Sequence, residues 1–213
     1  MAAADELRML DPQTAPQIEQ PATTMESHAM LTPRPEPVED SLPILTRRLT
    51  LRPFVLDDAA KVFAMSQEGG MRTWIPDQVY ADEREAREVL CYLISQYADP
   101  GTPAAGPYVL GVCLRGNGEL VGHVGLSPLR GTVEIGYAIE EKHQGKGLAS
   151  EAVAAMSEWG LRRFKLPHIL GIVAADNVAS CRVLERAGYA LVEEAEGRLH
   201  GHQGLIRTYH CRR

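Results

Sequence analysis

Hydrophobic positions along the chain alternate between a spacing of two, which reads as strand, and spacings of three and four, which read as helix. Leu45 to Phe54 is predicted as a strand, with Leu49, Leu51 and Pro53 on one face and Arg48, Thr50 and Arg52 on the other. Asp57 or Asp58 then caps a helix carrying Val62 and Phe63. Asp82 and Glu85 have the spacing of a capping box, and Ala86, Val89, Leu90, Leu93, Ile94 and Tyr97 follow at helical intervals. Tyr108 to Leu114 and Leu120 to Leu126 are apolar runs joined by Asn117-Gly118, a hairpin signal, and Thr132 to Ile139 continues them as a meander. A long helix follows, with Leu148, Ala152, Ala155, Met156 and Trp159 on its apolar face, and then a strand from His168 to Ala174. That crossover is long enough to set the two flanking strands parallel. A helix from Asn177 to Ala187, stopped at Gly188, and strands from Tyr189 to Glu194 and Leu205 to Cys211 close the chain.

The junction before the long helix carries the first chemical signal. Gln144-Gly145-Lys146-Gly147 runs straight into the helix, so glycines let the backbone turn where the first helical amides lack internal partners. Free amides at the positive end of a helix dipole suit a phosphate or pyrophosphate, and Lys142 and Lys146 stand nearby as helpers. The spacing excludes a P-loop, since Gly147 follows Lys146 and no glycine stands five before Gly145. A dinucleotide fingerprint fits poorly, because the third position is Ser150 and the loop stands several residues beyond the strand.

Composition narrows the class. The 213 residues, 45% hydrophobic, suffice for one catalytic domain with a tail. Residues 1–40 hold two basic against eight acidic residues and six prolines, and are expected to be disordered, whereas residues 41–213 balance 20 basic with 20 acidic. The division expected is a tail over residues 1–43 and a domain over residues 44–213. A neutral body without a basic tract argues against nucleic acid. No run approaches the ~20 apolar residues of a membrane span, and the N-terminus carries acid where a signal peptide carries base. Cys91, Cys113, Cys181 and Cys211 are dispersed, which indicates neither a metal site nor a disulfide framework, and the expected location is the cytoplasm.

Three motifs together resemble the GNAT superfamily of acyl-CoA-dependent N-acyltransferases. Gln144-x-x-Gly147-x-Ala149 is similar to its Gln/Arg-x-x-Gly-x-Gly/Ala signature, and Asn177-x-x-Ser180 leading to Gly188-Tyr189 is similar to its late helix. Arg48-Leu-Thr-Leu-Arg-Pro-Phe followed by Asp57-Asp58 resembles the first strand and helix of the Rim-type branch, which contains the ribosomal-protein N-terminal acetyltransferases. The matches span roughly residues 45 to 211. The resemblance implies an α/β (α+β) fold: a mixed, mostly antiparallel sheet of about six or seven strands, flanked by about four helices and splayed at the acyl-CoA site.

It also implies a site. Acetyl-CoA would lie between the strands Thr132–Ile139 and His168–Ala174, its pantetheine bonded to backbone of Tyr137, Ala138 and Ile139. Its pyrophosphate would rest on amides of Gln144, Gly145, Lys146, Gly147, Leu148, Ala149 and Ser150, with Asn177 at the strand-to-helix turn. No metal is implied. Glu134 is the expected base or water-positioning group, with His123 as the alternative. The tyrosine that many members use toward the leaving thiolate is replaced by Leu184, and Ser180 is the hydroxyl offered instead. The loop from Gly69 to Asp82 would face the acceptor, with Trp74 and Tyr80 as pocket candidates, although aromatic residues there serve equally as core. The expected reaction is acetyl transfer from acetyl-CoA to a protein N-terminal α-amine or a small amine, by direct attack in a ternary complex. A non-catalytic acyl-CoA-binding module is the alternative, and the protein is expected to be a monomer or homodimer without membrane partners.

Overall fold

The computed structural model describes residues 41–98 and 101–212, so residues 1–40 of the expected tail lie outside the described residues. Eight strands form one sheet and five α-helices flank it, one strand and one helix more than the upper end of the expectation. In chain order they are β1 (Ile44–Leu45), β2 (Leu49–Arg52), α1 (Ala59–Ser66), α2 (Gly69–Trp74), α3 (Glu83–Ser95), β3 (Tyr108–Leu114), β4 (Leu120–Leu129), β5 (Thr132–Ile139), α4 (Leu148–Arg163), β6 (His168–Ala174), α5 (Val178–Arg186), β7 (Ala190–Leu199) and β8 (His202–Arg212). The spatial order is β1-β2-β3-β4-β5-β6-β8-β7, antiparallel throughout except for the parallel pair β5 and β6. No helix among the described residues is long and apolar enough to cross a membrane.

The period-two pattern places Leu49, Leu51, Leu110, Val124, Leu126, Ile135 and Ile169 in a core under α4 and α5, which Leu148, Ala152, Met156, Trp159 and Leu184 complete from the helices. A smaller cluster on the opposite face joins Phe54, Leu120 and Cys113 to Ala59, Met65 and Leu90 of α1 and α3. Apolar residues therefore appear on both faces of β3 and β4, while α4 is buried around most of its circumference.

Three expectations are corrected. The first predicted strand is a β1–β2 hairpin, because the Thr46 hydroxyl accepts from the Leu49 amide at 2.9 Å and turns the chain. Asp58 stands before α1 without capping it. Its carboxylate instead takes both ends of the Arg52 guanidinium at 2.8 Å and the Val55 amide at 2.9 Å, fastening α1 to β2. The third concerns strand length. Arg130-Gly131 and His200-Gly201 form turns with positive φ at both central residues, so β4, β7 and β8 run further than their apolar stretches. Asp82 does cap α3, accepting from the Glu85 amide at 2.8 Å, and Glu85 reaches back to the Ala81 amide at 2.6 Å.

Burial raises the Asp58 pKa, but hydrogen bonds from Arg52 and the Val55 amide outweigh it and hold the carboxyl below its ordinary 3.8. Its stabilising contribution is thus present above the unfolded-state pKa and is lost as pH falls through the lower folded value. Asp58→Ala leaves the partly buried Arg52 without its partner and is expected to cost roughly 3 kcal/mol in urea unfolding. A change below about 1 kcal/mol would show that the pair does not fasten α1 to the sheet.

Candidate active site

β5 and β6 touch at a single register pair, Glu134 with Leu170, and diverge beyond it. Each keeps its other edge fully paired, β5 with β4 and β6 with β8. The result is a wedge in the middle of the sheet, and a cavity of about 910 Å³ runs through it from the loop before α4 to the surface of α2. Tyr137, Ala138 and Ile139 line it from β5, and Ile172, Val173 and Ala174 from β6.

At one end stand Gln144, Gly145, Gly147, Leu148, Ala149 and Ser150. Gly145 and Gly147 take φ of 73° and 74°, a region that disfavours side chains, so the loop needs glycine at both. The first amide of the helix to find an internal acceptor is Glu151, which donates to the Gly147 carbonyl at 3.3 Å. Those from Gly145 to Ser150 have no acceptor among the described residues. The Gln144 side chain does not enter the cavity as a ligand; its Nε2 donates to the Ile139 carbonyl at 2.8 Å and braces the loop against β5.

A second brace went unread in the sequence. Glu151 accepts from the Thr46 hydroxyl at 2.6 Å, the Arg48 amide at 2.8 Å and Arg48 Nε at 2.6 Å, while Arg48 Nη1 donates to the Lys146 carbonyl at 2.7 Å. Arg48 thereby holds a loop carbonyl on the side of β2 and leaves the neighbouring amides free for the cavity. The expected lysine helpers are occupied elsewhere. Lys142 Nζ pairs with Glu119 at 2.7 Å and Glu140 at 3.4 Å, Lys146 Nζ donates to the Lys142 carbonyl at 2.9 Å, and neither lines the cavity. The cations that do line it are Arg182 and Arg186 of α5. Glu119, Glu140 and His143 lie close together, but Lys61 and Lys142 on these carboxylates account for the cluster as ion pairs.

Glu134, Gly136 and Ala138 share one face of β5 with their β4 partners Ser127, Gly125 and His123, and all six line the cavity. Burial pushes the Glu134 carboxyl up from its ordinary value, with nearby His200 pulling modestly the other way. Burial also lowers His123, to about 4, so its imidazole is neutral at physiological pH. On the opposite face, Tyr137 sends its hydroxyl to α5, 2.7 Å from Ser180 Oγ and 3.0 Å from the Ser180 carbonyl. Asn177 caps α5, its Oδ1 accepting from the Ser180 amide at 3.1 Å. Leu184 is buried against Gly171 and takes no part in the cavity.

The other end of the cavity contains Trp74 and Tyr80, together with Glu68, Asp77, His200 and His202. The β7–β8 turn reaches across to α2: His200 Nδ1 lies 3.0 Å from Asp77 Oδ2, the His202 ring stacks at 5.4 Å on Trp74, and His202 Nε2 meets the Thr73 carbonyl. No sequence signal pointed to these histidines, since their partners stand more than 120 residues away.

A family model for the acetyltransferase (GNAT) domain matches residues 48–190. The chain belongs to the GNAT family. It is similar to the uncharacterised N-acetyltransferase YnaD of Bacillus subtilis, with 28% identity over 147 residues, 68% of this chain and 81% of that protein. A solved GNAT-family acetyltransferase from Bacillus anthracis is 26% identical, superposes with a TM-score of 0.67, and covers 79% of this chain and 97% of its own. The fold is also that of RimL, a ribosomal α-N-protein acetyltransferase solved with coenzyme A, at 18% identity and a TM-score of 0.66 over 80% of this chain and 97% of that one. The protein is thus an acetyl-CoA-dependent N-acetyltransferase, and acetyl-CoA is its co-substrate. The free amides of the loop and the open wedge fit that molecule in kind, offering anion donors at one end and unpaired strand edges between.

Arg48→Ala releases the Lys146 carbonyl and is expected to weaken acetyl-CoA binding roughly tenfold, with turnover at saturation little changed. Isothermal titration with acetyl-CoA checks this, and unchanged affinity would mean that the loop holds its shape without the brace.

Proposed function

We propose that the protein acetylates a primary amine, a protein N-terminal α-amine or a small amine, by direct attack on acetyl-CoA in a ternary complex. The observation that carries this reading is the position of Glu134, a half-buried carboxylate at the apex of the wedge, between the loop that fits a pyrophosphate and the pocket that faces the acceptor. Backbone of Tyr137, Ala138 and Ile139 holds the pantetheine, while Gly145 to Ser150 offer their amides to the pyrophosphate and Asn177 sets the turn beside it; the Gln144 amide, expected among these donors, is held by the Glu141 carbonyl at 3.1 Å. An incoming ammonium gives one proton to Glu134, directly or through water. The neutral nitrogen then attacks the thioester carbonyl, a C–N bond forms, and the C–S pair departs onto sulfur. Ser180 donates a hydrogen bond to that sulfur, and the second proton lost by nitrogen ends on the thiol. Alignment of donor and acceptor supplies most of the rate.

Charge along the cavity supports a cationic acceptor. Glu68, Asp77 and Glu134 line the acceptor end, whereas the cavity's two arginines, Arg182 and Arg186, stand on α5 at the co-substrate side. Trp74 and Tyr80 give that pocket apolar walls for the body of the acceptor. RimL acts on a ribosomal protein's α-amine, and N-terminal peptides are accordingly the first acceptors to assay, followed by small amines. We read the protein as cytoplasmic, where such acceptors reside.

Glu134→Gln is expected to lower kcat/KM at neutral pH by roughly 100-fold or more, measured by thiol release from acetyl-CoA with a peptide acceptor. In the wild type, activity falls as pH drops through the raised Glu134 pKa, and this acidic limb disappears in the variant. The stability effect has the opposite sign. A carboxyl whose folded pKa is raised loses stability as pH rises through that value, so the glutamine protein should melt no lower than wild type at neutral pH. A variant that keeps both full rate and the acidic limb excludes Glu134 as the base.

Ser180→Ala is expected to lower kcat roughly tenfold or more with the KM for acetyl-CoA nearly constant. Equal turnover of mutant and wild type removes Ser180 from the reaction.

A further inference from the structure

We propose that Tyr137 is the positioning residue of the leaving-group site: its hydroxyl holds the Ser180 side chain and donates to Ser180 Oγ while Ser180 donates to the departing sulfur. The inference rests on the reading of Ser180 given above and adds to it a second hydroxyl, delivered from the sheet.

A serine in the first turn of a helix has an easy alternative to any ligand, because its hydroxyl readily bonds nearby backbone. Here that alternative is not taken. Among the described residues the partner of the Ser180 hydroxyl is Tyr137 Oη, at 2.7 Å. The same phenol lies 3.0 Å from the Ser180 carbonyl, to which it can only donate. With the site empty, Tyr137 gives its proton to that carbonyl and accepts the serine proton, so both hydroxyls are satisfied. With a thioester present, rotation of two O–H bonds reverses the order. Tyr137 then donates to Ser180 Oγ, and the serine proton is free for sulfur. No heavy atom moves.

The phenol is suited to this part. Burial, partly offset by its bond to Ser180, pushes Tyr137 up to about 12, so it remains a neutral donor across the pH range of the enzyme. A hydroxyl that accepts a hydrogen bond is polarised into a better donor, and charge develops on sulfur as the C–S bond breaks and the C–N bond forms. No net proton passes through the pair, since the thiol proton is the one lost by the amine. The placement also resolves the gap left by Leu184. That side chain is buried against Gly171 and can present nothing to the wedge, whereas Tyr137 comes from β5, on the wall of the cavity itself.

A double-mutant cycle tests the proposal. Tyr137→Phe removes one oxygen and keeps the packing, and is expected to lower kcat about threefold to tenfold, with the acetyl-CoA KM and the thermal shift produced by acetyl-CoA within about twofold of wild type. If Tyr137 acts through Ser180, the Tyr137→Phe/Ser180→Ala double variant turns over no more slowly than Ser180→Ala alone. Effects that multiply would assign Tyr137 a role independent of Ser180 and overturn the inference, as would a Tyr137→Phe enzyme with unchanged kcat beside a slowed Ser180→Ala enzyme. If Ser180→Ala itself is unimpaired, the reading of Ser180 fails first and is identified as the failure.

Discussion

Two strands that meet once and then part are the constraint on which this protein is built. A parallel pair normally continues along its length, satisfying the facing amides and carbonyls of both strands. β5 and β6 stop after Glu134 and Leu170, and behind them the helices lie close on the sheet. Leu184 of α5 packs where a side chain at Gly171 would stand, and Leu126 fills the space beside Gly160 of α4. The two helices are seated closely on the sheet at these glycines. Both strands remain rigid because each is fully laddered on its outer edge. The inner edges left unpaired are where we propose that the pantetheine arm of acetyl-CoA lies.

The loop before α4 solves a related problem at the mouth of the wedge. Free amides invite any nearby carboxylate, and Glu151 lies in the first turn of that helix, where it would compete for them. Thr46 and Arg48 draw its carboxylate away toward the β1–β2 hairpin. Although burial acts in the other direction, their hydrogen bonds hold the Glu151 carboxyl below its ordinary value, so it stays ionised and engaged. The same arginine holds the Lys146 carbonyl. One guanidinium thus holds both the Glu151 carboxylate and the loop carbonyl.

Acid and hydroxyl chemistry are divided between the faces of a single strand. Alternation along β5 sends Glu134 toward the acceptor pocket and Tyr137 toward α5. The carboxylate is raised by burial on one face, and the phenol is held neutral by burial on the other. In the reaction we propose, the arrangement separates the group that takes a proton from the groups that steady a developing anion, across a strand only one residue thick.

Much of this was legible in the amino-acid order because it depends on neighbours. The strands Thr132–Ile139 and His168–Ala174 were read to the residue, since alternating β-branched positions and their flanking turns are local. The glycines at 145 and 147 and the strand-to-helix turn at Asn177 were likewise evident from spacing and from the family motifs that contain them. Where the reading missed, the cause was distance or a polar partner. The spacing allows Asp57 or Asp58 as a cap, yet Arg52 of the adjacent strand holds the Asp58 carboxylate away from the helix amides. Lys142 and Lys146 were read as phosphate helpers, but Glu119 on β3–β4's connection and the loop's own carbonyls engage them. His200 and His202 reach the acceptor pocket only because the β7–β8 turn arches over α2, and the Arg48–Glu151 brace joins residues 103 apart. The order of residues determined which segments are strands, where the helix starts lie and which chemical groups the chain carries. Only the tertiary structure decided which of those groups face one another, because a side chain's partner is set by packing across the sheet and helices, and no period along the chain encodes it.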